Sequence, residues 1–277
     1  MSFHCRTATL PELEQILDWA AEEGWNPGLD DAPAFFAADP EGFFVAVGPD
    51  DQPVAAISVV NHSADFAFLG LYIVRPAYRG QGIGLALWTH ALKHAGPRTV
   101  GLDGVEAQQD NYRASGFAHA GGTTRYSGEI AARSDTEICE INAEDIPALI
   151  AMEAAASGSE KPDYLRVWLT ASPNRRTLAL SQTGRVTGFC TVRACRTGAK
   201  IGPLIAANAA DAERLIGHAA CLYSGPIILD VPQSAQALDA LCQTLGLGAG
   251  FRTARMYRGP FDAPQPPVFA VASLELG

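Results

Sequence analysis

Positive charge is in short supply in this chain. Twenty Lys and Arg stand against thirty Asp and Glu, for a net charge of −10. Such an acidic protein is a poor match for the phosphate backbone of a nucleic acid. Long apolar runs are missing too. Nothing approaches the eighteen or so apolar residues of a membrane-spanning helix, so no membrane partner is expected. The first fifteen residues carry Glu12 and Glu14 and no apolar core, which argues against a secretory signal. The six cysteines, Cys5, Cys139, Cys190, Cys195, Cys221 and Cys242, form no C-x-x-C and pair with no histidines at zinc-ligand spacing. Free thiols in a reducing cytoplasm, and no metal, are the expectation. Two nucleotide loops are also lacking. A dinucleotide fingerprint starting at Gly80 or Gly82 would need a third glycine where Leu85 or Leu87 stands. No G-K-[ST] triplet follows either, which excludes a Walker loop.

What is present begins with length and patterning. The chain has 277 residues, 48% of them hydrophobic, enough for two domains. Charge divides unevenly: residues 1–130 carry 7 basic and 16 acidic side chains, and residues 131–277 carry 13 and 14. An acidic first half would suit a cationic amine, although a solvated acidic surface explains most such residues.

The most informative run is Arg75-Pro76-Ala77-Tyr78-Arg79-Gly80-Gln81-Gly82-Ile83-Gly84. It follows an apolar strand at 66–74 and opens a helix expected over 83–95, stopped by Gly96-Pro97. Glycines at alternate positions let a loop close tightly with its N–H groups turned inward, and the helix adds its positive end. Such a loop holds a phosphate or pyrophosphate. Charge-assisted hydrogen bonds contribute about 1.5–3 kcal/mol each. Three or four of them would supply much of the roughly 8 kcal/mol of a micromolar complex.

The two halves also repeat. Residues 9–17 and 142–150 both read as a polar cap followed by an amphipathic helix. Hairpin patterns at 44–60 and 177–192 match, as do strands at 69–74 and 200–205, and at 100–103 and 227–230. Gly116-Phe117 matches Gly250-Phe251. The copies part at the loop: after Ile205 there is no glycine to admit a phosphate, and Asp211 and Glu213 would repel one. The boundary falls in the polar stretch 127–136, giving domains 1–130 and 137–277. Residues 260–267 are proline-rich, and 268–276 read as a last strand.

The motif R-x-x-G-x-G, as Arg79, Gly82 and Gly84, resembles the pyrophosphate loop of the GNAT superfamily of acyl-CoA transferases. Leu71-Tyr72-Ile73-Val74 before Arg75-Pro76 looks like that family's fourth strand, and Tyr112-x-x-x-Gly116-Phe117 resembles its closing motif. The resemblance covers both halves and is similar to tandem GNAT proteins with one active and one degenerate domain. It implies an α/β (α+β) fold of two GNAT-like domains, each a mixed central sheet flanked by helices. It further implies that the backbone of Tyr72, Ile73 and Val74 holds the pantetheine arm of coenzyme A, with Arg79, Gly80, Gln81, Gly82, Ile83 and Gly84 around its pyrophosphate. Tyr112 would be the general acid beside the sulfur, a phenol that stays protonated at neutral pH. The family's usual asparagine seven residues earlier is Val105 here. Asp103, Glu106, His62 and Asp65 are open as general base, as is a water relay. Trp25, Asn26 and Asp30, in a Pro/Gly loop, are the expected substrate contacts, with the second domain as the other surface that could cover the loop. His90 and His94 read as a solvated helix face, and Arg175-Arg176 as exposed.

The expected activity is N-acetyl (or short acyl) transfer from acetyl-CoA to a small-molecule or peptide amine by direct attack. A non-catalytic acyl-CoA sensor and an O- or S-acyltransferase are the alternatives. The second half would shape the acceptor cleft or form a homodimer surface.

Overall fold

The structure, a computed structural model, describes residues 3–277. The first half runs β1 (His4–Thr7), α1 (Leu10–Glu22), α2 (Asp31–Ala38), β2 (Phe43–Val47), β3 (Pro53–Asn61), β4 (Phe66–Val74), α3 (Ile83–Ala91), β5 (Thr99–Val105), α4 (Gln109–Ala114) and β6 (Ala118–Gly128). The second half repeats the plan as β7 (Ile138–Glu140), α5 (Ile146–Ser157), α6 (Pro162–Trp168), β8 (Arg175–Gln182), β9 (Arg185–Ala194), β10 (Ala199–Ala206), α7 (Ala209–Ala219), β11 (Ile227–Pro232), α8 (Gln236–Thr244) and β12 (Gly248–Arg258). A short β13 (Phe269–Ala270) follows.

Local chemistry starts these elements where it should. Thr9 caps α1 in a box with Glu12, Pro11 occupies the first turn, and Arg6 forks onto the Glu12 carboxylate at 2.7 and 2.9 Å. Asn142 and Asp145 form the corresponding box before α5.

All thirteen strands share one mixed sheet. Its order is β1-β2-β3-β4-β5-β12-β6-β11-β10-β9-β8-β7, with β13 attached to β10. The halves are therefore interleaved. The last long strand of each half lies beside the other half's sheet: β12 pairs antiparallel with β5 (Thr253 opposite Val105), and β6 pairs with β11 (Ile227 opposite Gly128). The exchanged strands also pair with each other. Between the halves, Phe35 of α2 stacks at 5.8 Å on Trp168 of α6. The guanidinium groups of Arg175 and Arg193 lie 4.4 and 4.5 Å from the centre of the same indole. Both face the buried carboxylate of Asp31, at 3.2 and 3.3 Å.

Each half contains a splay. β4 and β5 run parallel only from Phe66 to Leu69, after which Leu71 takes a φ of 48° and the strands part. In the second half β10 and β11 are parallel only from Ala199 to Ile201. There the gap is filled by the chain itself: β13 pairs with Leu204 and Ile205, and the amide of Val271 donates to the carbonyl of Asp230. The final segment then crosses to the first half. A Cβ at Gly70 would overlap the carbonyl oxygen of Glu275, so the glycine admits this approach.

Several expectations change. The helix over 83–95 ends at Ala91, because its last bonds tighten to turns such as His94 N to Ala91 O. His90 is exposed as expected, with its ring edge-on to Phe44, but His94 is half-buried: its ring also meets Phe44 and its Nε2 is 2.7 Å from Asp39. Arg175 is buried with Asp31 rather than exposed. The strand at 268–276 shrinks to two residues, since the tail leaves β10 to enter the space between the halves.

Candidate active site

Beyond Leu69 the edge of β4 that would face β5 has no strand partner, while β3 still pairs with Ile73 and Val74 on the other side. A one-sided strand edge of this kind can hydrogen-bond an extended ligand. The chain then makes a short 3₁₀ turn and enters the glycine loop. Gly80 and Gly82 have φ of 75° and 79°, a region in which side-chain-bearing residues are strained. Gly84 serves a different need: a Cβ there would sit 2.5 Å from Tyr72 Oη. The backbone amides from Gly80 to Leu85 have no acceptor among the described residues. They are the first donors met at the positive end of α3.

Tyr72, Ile73, Val74, Arg79, Gly80, Gly82, Ile83 and Gly84 all line one groove of about 520 Å³. Gln81 does not, because its side chain turns back to donate to Ala77 O. The Arg79 guanidinium donates to Val74 O at 2.8 Å and pairs with Glu23 at 2.5 Å, while Arg75 pairs with Glu22. Both arginines thus fasten the loop to the end of α1.

The second half presents a different terminus at the matching place. Asn208 accepts from the Asp211 amide at 2.9 Å, and Asp211 is buried in the first turn of α7. That helix end is closed by its own side chains and negative where a phosphate would lie.

At the inner end of the groove lies a smaller cavity of about 70 Å³, sharing Trp25, Tyr72, Val105 and Gln108 with it. Its walls are mostly apolar and aromatic, including Leu69, Leu71, Leu102, Phe251 and Leu274, with Asp103, Arg125 and Glu275 among them. Tyr112 lines it from α4, with its ring stacked 5.5 Å from Trp88. Gly104 makes room, since a Cβ there would lie 2.5 Å from Tyr112 Cε2. Burial, reinforced by Tyr72, pushes the Tyr112 phenol above its usual range. A phenol so placed stays protonated and can donate to a developing thiolate.

Of the three loop residues expected to meet substrate, only Trp25 lines this cavity. Asn26 instead donates to Thr197 O at 2.9 Å. Asp30 accepts from Ser172 Oγ at 2.6 Å and from both Asn174 N and Nδ2. Their polar groups are used up holding the two halves together. The four candidate bases also lie elsewhere or are engaged. Asp103 lines the cavity, but Arg255 forks onto its carboxylate at 2.6 and 3.1 Å. His62 donates from Nε2 to Leu276 O at 2.8 Å, and burial, helped by Lys161, lowers its pKa to about 3. Asp65 accepts from Ser63 Oγ in a surface turn, and Glu106 is exposed.

The residues that sequence reasoning missed come from the second half or from the exchanged strands. Arg125 of β6 forks onto Asp230 of β11 at 2.7 and 2.8 Å and donates to Trp25 O at 2.8 Å. Lys200 of β10 donates to the same carbonyl at 2.9 Å. Burial works against the Asp230 carboxylate, but Arg125 outweighs it and holds its pKa low. Glu275 reaches the cavity from the final segment. Its only advance signal is a lone acidic residue in an otherwise apolar ending. Among the described residues there is no group of His, Cys, Asp and Glu able to hold a metal, and no helix long and apolar enough to cross a membrane.

Comparison with known proteins bears on this geometry. Residues 10–121 match the family model described as Acetyltransferase (GNAT) family, and residues 149–270 match the one described as Acetyltransferase (GNAT) domain. The chain is 33% identical to the Holothin acyltransferase of Pseudoalteromonas sp. (strain SANK 73390), with 98% of this chain and 94% of that protein aligned. In fold it is similar to a Pyrococcus horikoshii protein solved as a candidate acetyltransferase (TM-score 0.82, 20% identity, 99% of this chain and 96% of that one). It is also similar to the tandem GNAT protein from the clavulanic acid biosynthesis pathway (TM-score 0.60, 16% identity, 94% and 100%). With a splayed strand pair, a glycine loop of free amides and a repeat of the whole plan, the chain belongs to the GNAT superfamily and is an acyltransferase built from two GNAT domains.

Proposed function

We propose that the first half binds an acyl-CoA donor and transfers an acetyl or short acyl group to the amine of a small-molecule acceptor, by direct attack in a ternary complex. The observation that carries this reading is the meeting of the donor groove with the smaller cavity beside Tyr112. The free amides of residues 80–85 suit a pyrophosphate, and the unpartnered edge of Tyr72–Val74 suits the pantetheine arm. A backbone amide of that edge polarises the thioester carbonyl, and Tyr112 protonates the departing thiolate. A cavity of about 70 Å³ favours a small acceptor over a peptide, in keeping with the relative named for holothin. The second half binds no donor, because its own tail fills its splay and α7 is closed by Asn208 and Asp211. It serves instead as the far wall of the acceptor cavity.

Calorimetric titration with acetyl-CoA tests the reading directly. One site per chain is expected. Two sites would return the second half to the chemistry, and no binding would overturn the proposal. Holothin is the first acceptor to try with the loaded protein.

A further inference from the structure

The general base has no occupant among the residues of the first half, yet one carboxylate in the acceptor cavity is unclaimed. Glu275 is 4% exposed and lines the cavity together with Tyr112, Trp25 and Leu71. Among the described residues its carboxylate has no hydrogen-bond or ion-pair partner, although neighbouring Asp103, Arg125 and Asp230 are all closely paired. It is nevertheless absent from the sealed, unpartnered buried polar atoms, so the carboxylate opens to the cavity. A buried carboxylate without donors is costly unless a ligand supplies one.

Its position is held from both sides. Its carbonyl is pressed on Gly70, where β4 leaves β5. The next residue, Leu276, accepts from His62 Nε2 at 2.8 Å, and Lys161 Nζ, itself paired with Glu153, donates to Gly277 O at 2.8 Å. Arg125 of β6, Arg193 of β9 and Lys200 of β10 are the cations near it at longer range. Asp103, Tyr72 and Tyr112 complete the titratable groups on the cavity wall.

We infer that Glu275, delivered by the final segment of the second half, is the general base of the reaction and selects a small, flat amine. The inference rests on the acyl-CoA reading above. The amine nitrogen attacks the thioester carbonyl carbon, forming the C–N bond as its proton passes to the Glu275 carboxylate. The C–S bond breaks, and the thiolate takes the proton of Tyr112. Proton exchange between Glu275 and Tyr112 through solvent restores both. Flatness follows from the walls, where Trp25, Tyr72, Tyr112 and Phe251 present rings around little free volume.

The test uses the full chain, acetyl-CoA as donor and aniline as probe acceptor, with acetanilide formation as the readout. For Glu275→Gln, acetyl-CoA affinity should stay within about twofold of wild type and kcat should fall about 100-fold. Glu275→Ala should be similarly slow and should recover with added formate, which only a missing proton acceptor explains. Wild-type turnover in Glu275→Gln, or no formate rescue of Glu275→Ala, would overturn the assignment. So would failure of acetyl-CoA-loaded wild type to acetylate aniline. Loss of acetyl-CoA binding by wild type would instead overturn the donor reading, and this inference with it.

Discussion

Two buried side chains behave differently under titration, and each gives a prediction. Tyr112 is buried and its phenol is pushed above the usual range, so it remains a proton donor throughout neutral pH. Tyr112→Phe should lower turnover by about 100-fold or more, with little change in acetyl-CoA affinity measured by calorimetry. His62 is lowered to about 3 from a usual 6.5, chiefly by burial. Its folded pKa lies below its unfolded one, so the folded state keeps the neutral ring while the unfolded chain gains a proton. Stability should therefore fall as pH drops from 6.5 toward 3, by up to about 1.4 kcal/mol per pH unit. His62→Gln, which retains a donor for Leu276, should flatten that part of a denaturation-versus-pH curve. Tyr112 stood out in the sequence because its spacing to Gly116-Phe117 is local. The burial of His62 was not, since its partner Leu276 lies 214 residues away.

On the proposed acyl-CoA reading, the element that decides donor binding is the glycine loop opening α3. Nothing lies within 4 Å of a Cβ built at Gly82, so a side chain there meets open space and the strain is confined to the positive φ. Gly82→Glu should fold, at a backbone cost of about 1–2 kcal/mol, yet place a carboxylate where the pyrophosphate belongs. Acetyl-CoA binding should be abolished while circular dichroism stays native; retained affinity would remove the loop from its role. The tail shows the opposite case of an element misjudged. Its apolar alternation reads as one strand, but only two residues pair, because the splay of β10 offers a short free edge before the chain must turn toward the first half.

At the scale of the whole molecule, the exchanged strands make the two domains one cooperative object. β12 covers the edge of β5 and β6 covers the edge of β11, so neither half can open without stripping a strand from the other. Denaturant unfolding followed by tryptophan fluorescence and by circular dichroism should give coincident single transitions. Asp31 ties the halves at their base, with two buried arginines facing it. Asp31→Ala leaves both cations uncompensated and should cost about 3–5 kcal/mol, read as a lowered denaturation midpoint. The same interleaving explains why Asn26 and Asp30 looked like substrate contacts. A polar loop that bonds a second domain has the same composition as one that bonds a ligand.

The sequence by itself determined the glycine loop, the helix caps, the twofold plan and the local spacing of Tyr112 to Gly116-Phe117. Each of these depends on residues a few positions apart, where backbone geometry and capping chemistry act directly. Only the tertiary structure decided that the sheets are joined by exchange, that the second splay is filled by the chain's own tail, and that Arg125, Lys200 and Glu275 converge on the first half's cavity. An alternating strand looks the same whichever edge it joins. A lone glutamate shows no role until the fold has removed every other partner from its reach.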